Sequence, residues 1–202
     1  YGVGYTTSFW GSTECGSEGV PETGDGCAST MSMDYDEVDV SLKSYAAKDL
    51  WLSVRCVMED GKTVPESSSS EIATTSSSSR NSSSSARETV LNSYEKEAYL
   101  NPEIKYDSIV DSRDGQVYKT VKIGDQVWMA QNLNYADSAK TPSLLGRSWC
   151  YNDSSKNCEK YGRLYTWAAA MDSVETGCGY SESGTGCYRT TDVQGICPSD
   201  WH

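Results

Sequence analysis

Tyr106–Ala130 reads YDSIVDSRDGQVYKTVKIGDQVWMA, and this stretch decides the fold. Asp114-Gly115 and Gly124-Asp125 divide it into three runs rich in Val, Ile, Tyr and Thr. Asp-Gly between such runs is a strong hairpin signal, because the short polar residue and glycine accept the backbone angles of a tight turn. The stretch predicts an antiparallel meander with strands at Tyr106–Val110, Gln116–Ile123 and Gln126–Ala130.

Downstream, Tyr161–Val174 (YGRLYTWAAAMDSV) places Leu164, Trp167, Ala168 and Met171 at spacings of three and four. That spacing predicts a helix with one apolar face, and three successive alanines permit close packing against a sheet. Upstream lies a serine-rich tract, Glu66–Thr89, with three runs of four serines and almost nothing apolar to bury. It predicts a disordered linker. Arg87–Leu100 reads either as a short helix ended by Asn101-Pro102 or as more linker.

Ahead of the tract, Asp36–Leu42 alternates Val38, Val40 and Leu42 with polar residues, the period of a strand with one buried face. Leu50–Met58 (LWLSVRCVM) is denser and suits a strand buried on both faces, with Asp60-Gly61 as its stop. Three segments follow: residues 1–61, a linker over 62–105, and residues 106–202.

The chain carries 29 acidic and 17 basic residues, a net charge of −12. Such a balance repels nucleic acid and anionic membrane surfaces, and no run is apolar enough to span a bilayer. Segments of this size bury a modest core, which eight cysteines supplement. Local bridges are expected for Cys15 with Cys27, Cys150 with Cys158, and Cys178 with Cys187, in Gly-, Ser- and Asn-rich loops; they imply an extracellular or cell-surface setting. Zinc is disfavoured, since there is no Cys-x-x-Cys pair and the single histidine is His202.

Aromatic usage is lopsided: 14 Tyr and 6 Trp against one Phe. Tyr and Trp suit sites where one ring face is apolar and an edge is wet. Trp10, Tyr35, Trp149, Tyr151 and Tyr165 are therefore candidates for a sugar-stacking or protein-contact surface; the alternative is rings half-buried on a thin sheet. Calcium is a weaker expectation. Asp34, Asp36, Glu37 and Asp39 alternate between strand faces, and Asp111 with Asp114 reads more simply as a turn. With one histidine, at position 202, the chain is not expected to be an enzyme.

The motifs DSRDGQVYKTVKIGDQVWMAQNLNY (Asp111–Tyr135), WCYND (Trp149–Asp153), YGRLYTWAAAM (Tyr161–Met171) and CPSDWH (Cys197–His202) resemble the Fibrobacter succinogenes major paralogous domain family. FWGSTE (Phe9–Glu14), the acidic strand and SVRCV (Ser53–Val57) look like the closing part of the same domain. The resemblance implies the tail of one copy, a linker and the head of the next, each lacking the family's middle section. It implies an α+β, C-type-lectin-like twisted antiparallel sheet with one helix retained and disulfide-stapled loops. It further implies that Cys56 and Cys197, each without its own partner, join if the halves dock as a permuted domain. The expected role is a surface binding or adhesion module, with polysaccharide as ligand; the alternative is a structural or protein-interaction spacer that contacts other envelope proteins.

Overall fold

The structure, a computed structural model, describes residues 6–14, 26–34, 36, 40–59, 97–178 and 193–202. Tyr35, Cys15, Cys187 and the linker over 62–96 lie outside the described residues. The predicted meander is present as β5 (Asp107–Val110), β6 (Val117–Ile123) and β7 (Gln126–Met129), all antiparallel. A strand from the other end of the sequence completes this sheet. β4 (Val57–Glu59) pairs antiparallel with β7, giving the order β4-β7-β6-β5.

Residues 50–58 form a spine. Val57 exchanges two backbone hydrogen bonds with His202, at 2.7 and 2.9 Å, while Cys56 O accepts from Met129 N on the other side. Val54 O accepts from Leu133 N, and Leu52 exchanges a pair with Tyr165. Val54, Cys56 and Met58 are buried together with Ile109, Tyr118, Met129, Tyr165 and Trp201 in the main core. The expectation of burial on both faces is corrected at two positions. Trp51 is 51% exposed and Arg55 half-buried, because the segment alternates and its second face is only partly covered.

A second sheet comprises β1 (Thr6–Glu14), β2 (Cys27–Asp34) and β3 (Val40–Ala47) in that order, antiparallel throughout. The strand predicted over Asp36–Leu42 starts later, at Val40, which is 46% exposed; residues 37–39 lie outside the described residues. Ala28 and Trp10 reach from this sheet to Trp167, Met171 and Cys178. Trp10 Nε1 donates to Tyr165 O at 2.8 Å, and Trp167 Nε1 donates to Gly11 O at 3.1 Å. Residues from both sides of the linker thus share one core.

The helix predicted over Tyr161–Val174 is broken into pieces. α1 (Ser155–Tyr161) ends at Gly162, whose φ of 78° leaves the helical region. β9 (Leu164–Tyr165) pairs with β8 (Ser148–Trp149), and α2 (Trp167–Ala170) then starts with Thr166 as its cap. Asp172, at φ 47°, separates α2 from α3 (Ser173–Thr176). The spacing of Leu164, Trp167 and Met171 reflects burial along an irregular path, which periodicity alone does not distinguish from a helix.

Two disulfides complete the frame of this α+β fold. Cys56 joins Cys197 with Cα atoms 5.7 Å apart and a sequence separation of 141. Cys150 joins Cys158, eight residues apart. Cys27 and Cys178 each also take part in a disulfide, and there is no free cysteine among the described residues. Asp111 is fully buried and grips Arg113 in a fork, with Nε to Oδ1 at 2.9 Å and Nη2 to Oδ2 at 2.7 Å. The same guanidinium donates to the carbonyls of Ile196 and Cys197 and lies 3.9 Å from the centre of the Tyr135 ring. Burial disfavours the Arg113 charge, but the Asp111 carboxylate outweighs it and raises the pKa. Asp111 is thereby committed to a guanidinium.

Two outcomes follow for stability. Loop-closure entropy assigns about 5 kcal/mol to Cys56–Cys197 and about 2.5 kcal/mol to Cys150–Cys158, so Cys56→Ala/Cys197→Ala should lower the urea midpoint more than Cys150→Ala/Cys158→Ala. Asp111→Ala strands Arg113 against two carbonyls and should cost about 3 kcal/mol by the same measurement.

Candidate ligand-binding site

The spine sets the site. Its alternation places Val54, Cys56 and Met58 in the main core and leaves Trp51, Ser53, Arg55 and Val57 with the other parity. At one end of this row Trp51 stacks on Trp149, with ring centroids 4.2 Å apart and planes inclined by 22°. Trp149 is held by β8 and by the adjacent Cys150–Cys158 bridge. Tyr151 follows it, 40% exposed.

Further along the row Arg55 lines a pocket of about 130 Å³, shared with Tyr99, Gln131, Asn132, Asn134 and Tyr161. Tyr99 and Tyr161 form the aromatic wall, with centroids 5.6 Å apart, a 48° tilt and hydroxyls 3.5 Å apart. Lys160 Nζ sits 5.3 and 5.2 Å from the two ring centres, and the Tyr99 and Tyr161 hydroxyls raise its pKa. Residues 97–105, assigned to the linker by composition, thus supply one wall through Tyr99. Glu97 adds an ion pair to Lys119 at 3.5 Å.

Asn132 is the joint of the pocket. Its Oδ1 accepts from Arg55 Nε at 2.9 Å, and its Nδ2 donates to Tyr161 O at 2.8 Å and to Ser53 Oγ at 3.3 Å. One amide therefore ties the spine to α1. Arg55 lies over Phe9, with Cζ 4.9 Å from the ring centre; burial lowers its pKa, partly offset by Tyr106. Asn134 Oδ1 is buried without a hydrogen-bond donor among the described residues, although its Nδ2 donates to Gln116 Oε1 at 3.0 Å.

Of the aromatic candidates, Tyr151 is exposed, Trp149 is half-buried against Trp51, and Tyr35 lies outside the described residues. Tyr165 is fully buried, its hydroxyl donating to Tyr135 O at 2.9 Å, and burial raises its pKa; it is a core residue. Trp10 is half-buried, with its N–H spent on Tyr165 O. The sequence reading missed Trp51, Arg55, Tyr99, Asn132, Lys160 and Tyr161 as site residues. A signal existed for the first two, which are the largest members of one parity of Leu50–Met58. There is no group of three or more His, Cys, Asp or Glu side chains arranged for a metal among the described residues. No helix among them is long and apolar enough to cross a membrane.

The fold and pocket define an antiparallel α+β domain with an aromatic and amide-lined surface site. Residues 121–202 match the model of the Fibrobacter succinogenes major domain, which supports the family indicated by the sequence motifs. No curated protein and no solved structure matches the chain. The matched segment contains Gln131, Asn132, Asn134, Trp149, Lys160 and Tyr161, whereas Trp51, Arg55 and Tyr99 fall before it.

Gly162 keeps the pocket's shape. A Cβ there would lie 2.7 Å from Asn132 Cβ and 2.8 Å from Asn132 O, at a backbone φ of 78°. Gly162→Ala combines steric overlap with a strained backbone and should destabilise by about 3 kcal/mol, whereas Gly124→Ala, with open space around it, should cost about 1 kcal/mol. Thermal unfolding followed by circular dichroism measures both.

Proposed function

We propose that this protein is an extracellular or cell-surface binding module whose ligand is a polysaccharide. The observation that carries the reading is the Trp51–Trp149 stack, with one indole half exposed although other large rings of the fold, Trp167 and Tyr118 among them, are buried. Flat, rigid, amphipathic rings at a surface suit the apolar faces of pyranose sugars, and their amide and hydroxyl neighbours suit the sugar edges. The nearby pocket supplies such neighbours in Gln131, Asn132 and Tyr161.

The reading carries a view of how the domain is built. It takes residues 1–61 as the closing part of one paralogous copy and 106–202 as the opening part of the next. On this view they are docked as a permuted, C-type-lectin-like body. The backbone exchange between Val57 and His202 and the Cys56–Cys197 bridge support it. No catalytic role is assigned to the site.

In gels containing cellulose, xylan or pectin, the chain should be retarded by at least one polymer. Trp51→Ala and Trp149→Ala should each weaken that retardation by about fivefold, corresponding to about 1 kcal/mol of ring stacking. Migration unchanged in all three gels would favour a spacer that contacts other envelope proteins.

A further inference from the structure

Arg55, Arg113 and Arg163 are half-buried in this fold and have different surroundings. Arg113 is saturated: it engages both oxygens of Asp111, two carbonyls and a tyrosine ring. Arg55 donates Nε to Asn132 Oδ1 and rests on Phe9, and no carboxylate among the described residues pairs with it. A guanidinium has five N–H donors, and one withdrawn from water without an anion is costly. Arg113 is held by a carboxylate, and Arg163 by Ser148 and the Cys150–Cys158 sulfurs with donors from both Nη atoms engaged. Arg55 has neither arrangement: only its Nε is hydrogen-bonded within the described residues, and it alone of the three lines the pocket.

The remaining lining indicates what such an anion belongs to. The Tyr99 and Tyr161 rings give an aromatic wall, and Asn132 and Gln131 give amides. Asn134 Oδ1 is an acceptor without a donor among the described residues. Mixed donors, acceptors and a ring face around one cation match a hydroxylated ring bearing a carboxylate. The volume of about 130 Å³ suits a single six-membered ring, since a cavity of roughly 150 Å³ holds one benzene. Lys160 adds a second cation to the lining, and Glu159 is its one carboxylate. The chain's net charge of −12 acts weakly here, because fields from remote charges decay over about 8 Å at physiological ionic strength.

We infer that the pocket receives a uronic acid residue of an acidic polysaccharide, with the Arg55 guanidinium holding the carboxylate and Tyr99 and Tyr161 flanking the ring. The assignment rests on the polysaccharide reading above and narrows it to a substrate class. Planar, forked recognition by arginine separates a uronic acid from the corresponding neutral sugar, which offers a hydroxymethyl group in place of the carboxylate.

The test is a calorimetric titration of the full chain with galacturonic acid, galactose and acetate. Galacturonic acid should bind about tenfold more tightly than galactose, the ratio given by one charge-assisted hydrogen bond, and acetate should give no measurable heat. Arg55→Gln should erase the preference, and Arg55→Lys should retain part of it. Where Arg55→Gln proves unfolded by circular dichroism, NMR shifts in the unmodified chain decide: perturbations centred on Arg55, Asn132 and Tyr161 sustain the assignment, and perturbations elsewhere overturn it. Equal affinity for galacturonic acid and galactose overturns the acidic-sugar assignment and leaves sugar binding intact. Acetate binding as tightly as galacturonic acid overturns the role of the ring. Absence of binding by either sugar overturns the pocket assignment, while polysaccharide retardation through Trp51 and Trp149 is judged separately.

Discussion

The fold depends on Val57 and its neighbours being hydrogen-bonded from two sides. Val57 meets His202 on one flank, and Cys56 and Met58 meet strand β7 on the other. A backbone group buried without a partner costs about as much as a lost hydrogen bond, so each flank requires the spine to be present. Removing residues 50–59 would expose the edge of β7, the C-terminal segment and the core around Tyr118 and Trp201 together. The Cys56–Cys197 bridge and the Asp111–Arg113 fork act on this same junction: one fixes the two segments covalently, the other anchors the carbonyls of Ile196 and Cys197.

Local chemistry made the meander legible in sequence. Asp114-Gly115 and Gly124-Asp125 determine their turns almost independently of the rest, and the structure has β5, β6 and β7 where those turns require. The segment Tyr161–Val174 shows the opposite case. Its spacing is helical, but Gly162 packs on Asn132 and Leu133 carbonyl groups, and Leu164–Tyr165 is drawn into pairing with β8 and the spine. For Tyr165 those partners, Ser148 and Leu52, lie 17 and 113 positions away, so no local period reports them.

The candidate site was less legible for a related reason. Composition identifies tyrosines and tryptophans that need one wet edge, but a buried hydroxyl paired with a carbonyl meets that need as well as solvent does. Tyr165 and Tyr161 are four residues apart in sequence; one is sealed in the core and the other lines a pocket. What separates them is whether another segment covers them, a tertiary property. Arg55 was hidden by its apolar neighbours, and its distinction from Arg113 emerges only when their partners are compared.

Asn132 gives the architecture a thermodynamic consequence. Its side chain bonds Ser53 and Arg55 on the spine and the Tyr161 carbonyl at the end of α1, so the pocket exists only while the segments on both sides of the linker are assembled. Any molecule that fills it binds the assembled form and not the separated one. Binding and assembly are then linked equilibria, and occupancy adds to the stability of the junction in proportion to the logarithm of ligand concentration above its dissociation constant. A surface exposed to its ligand would thus hold its own halves together more firmly than one that is not.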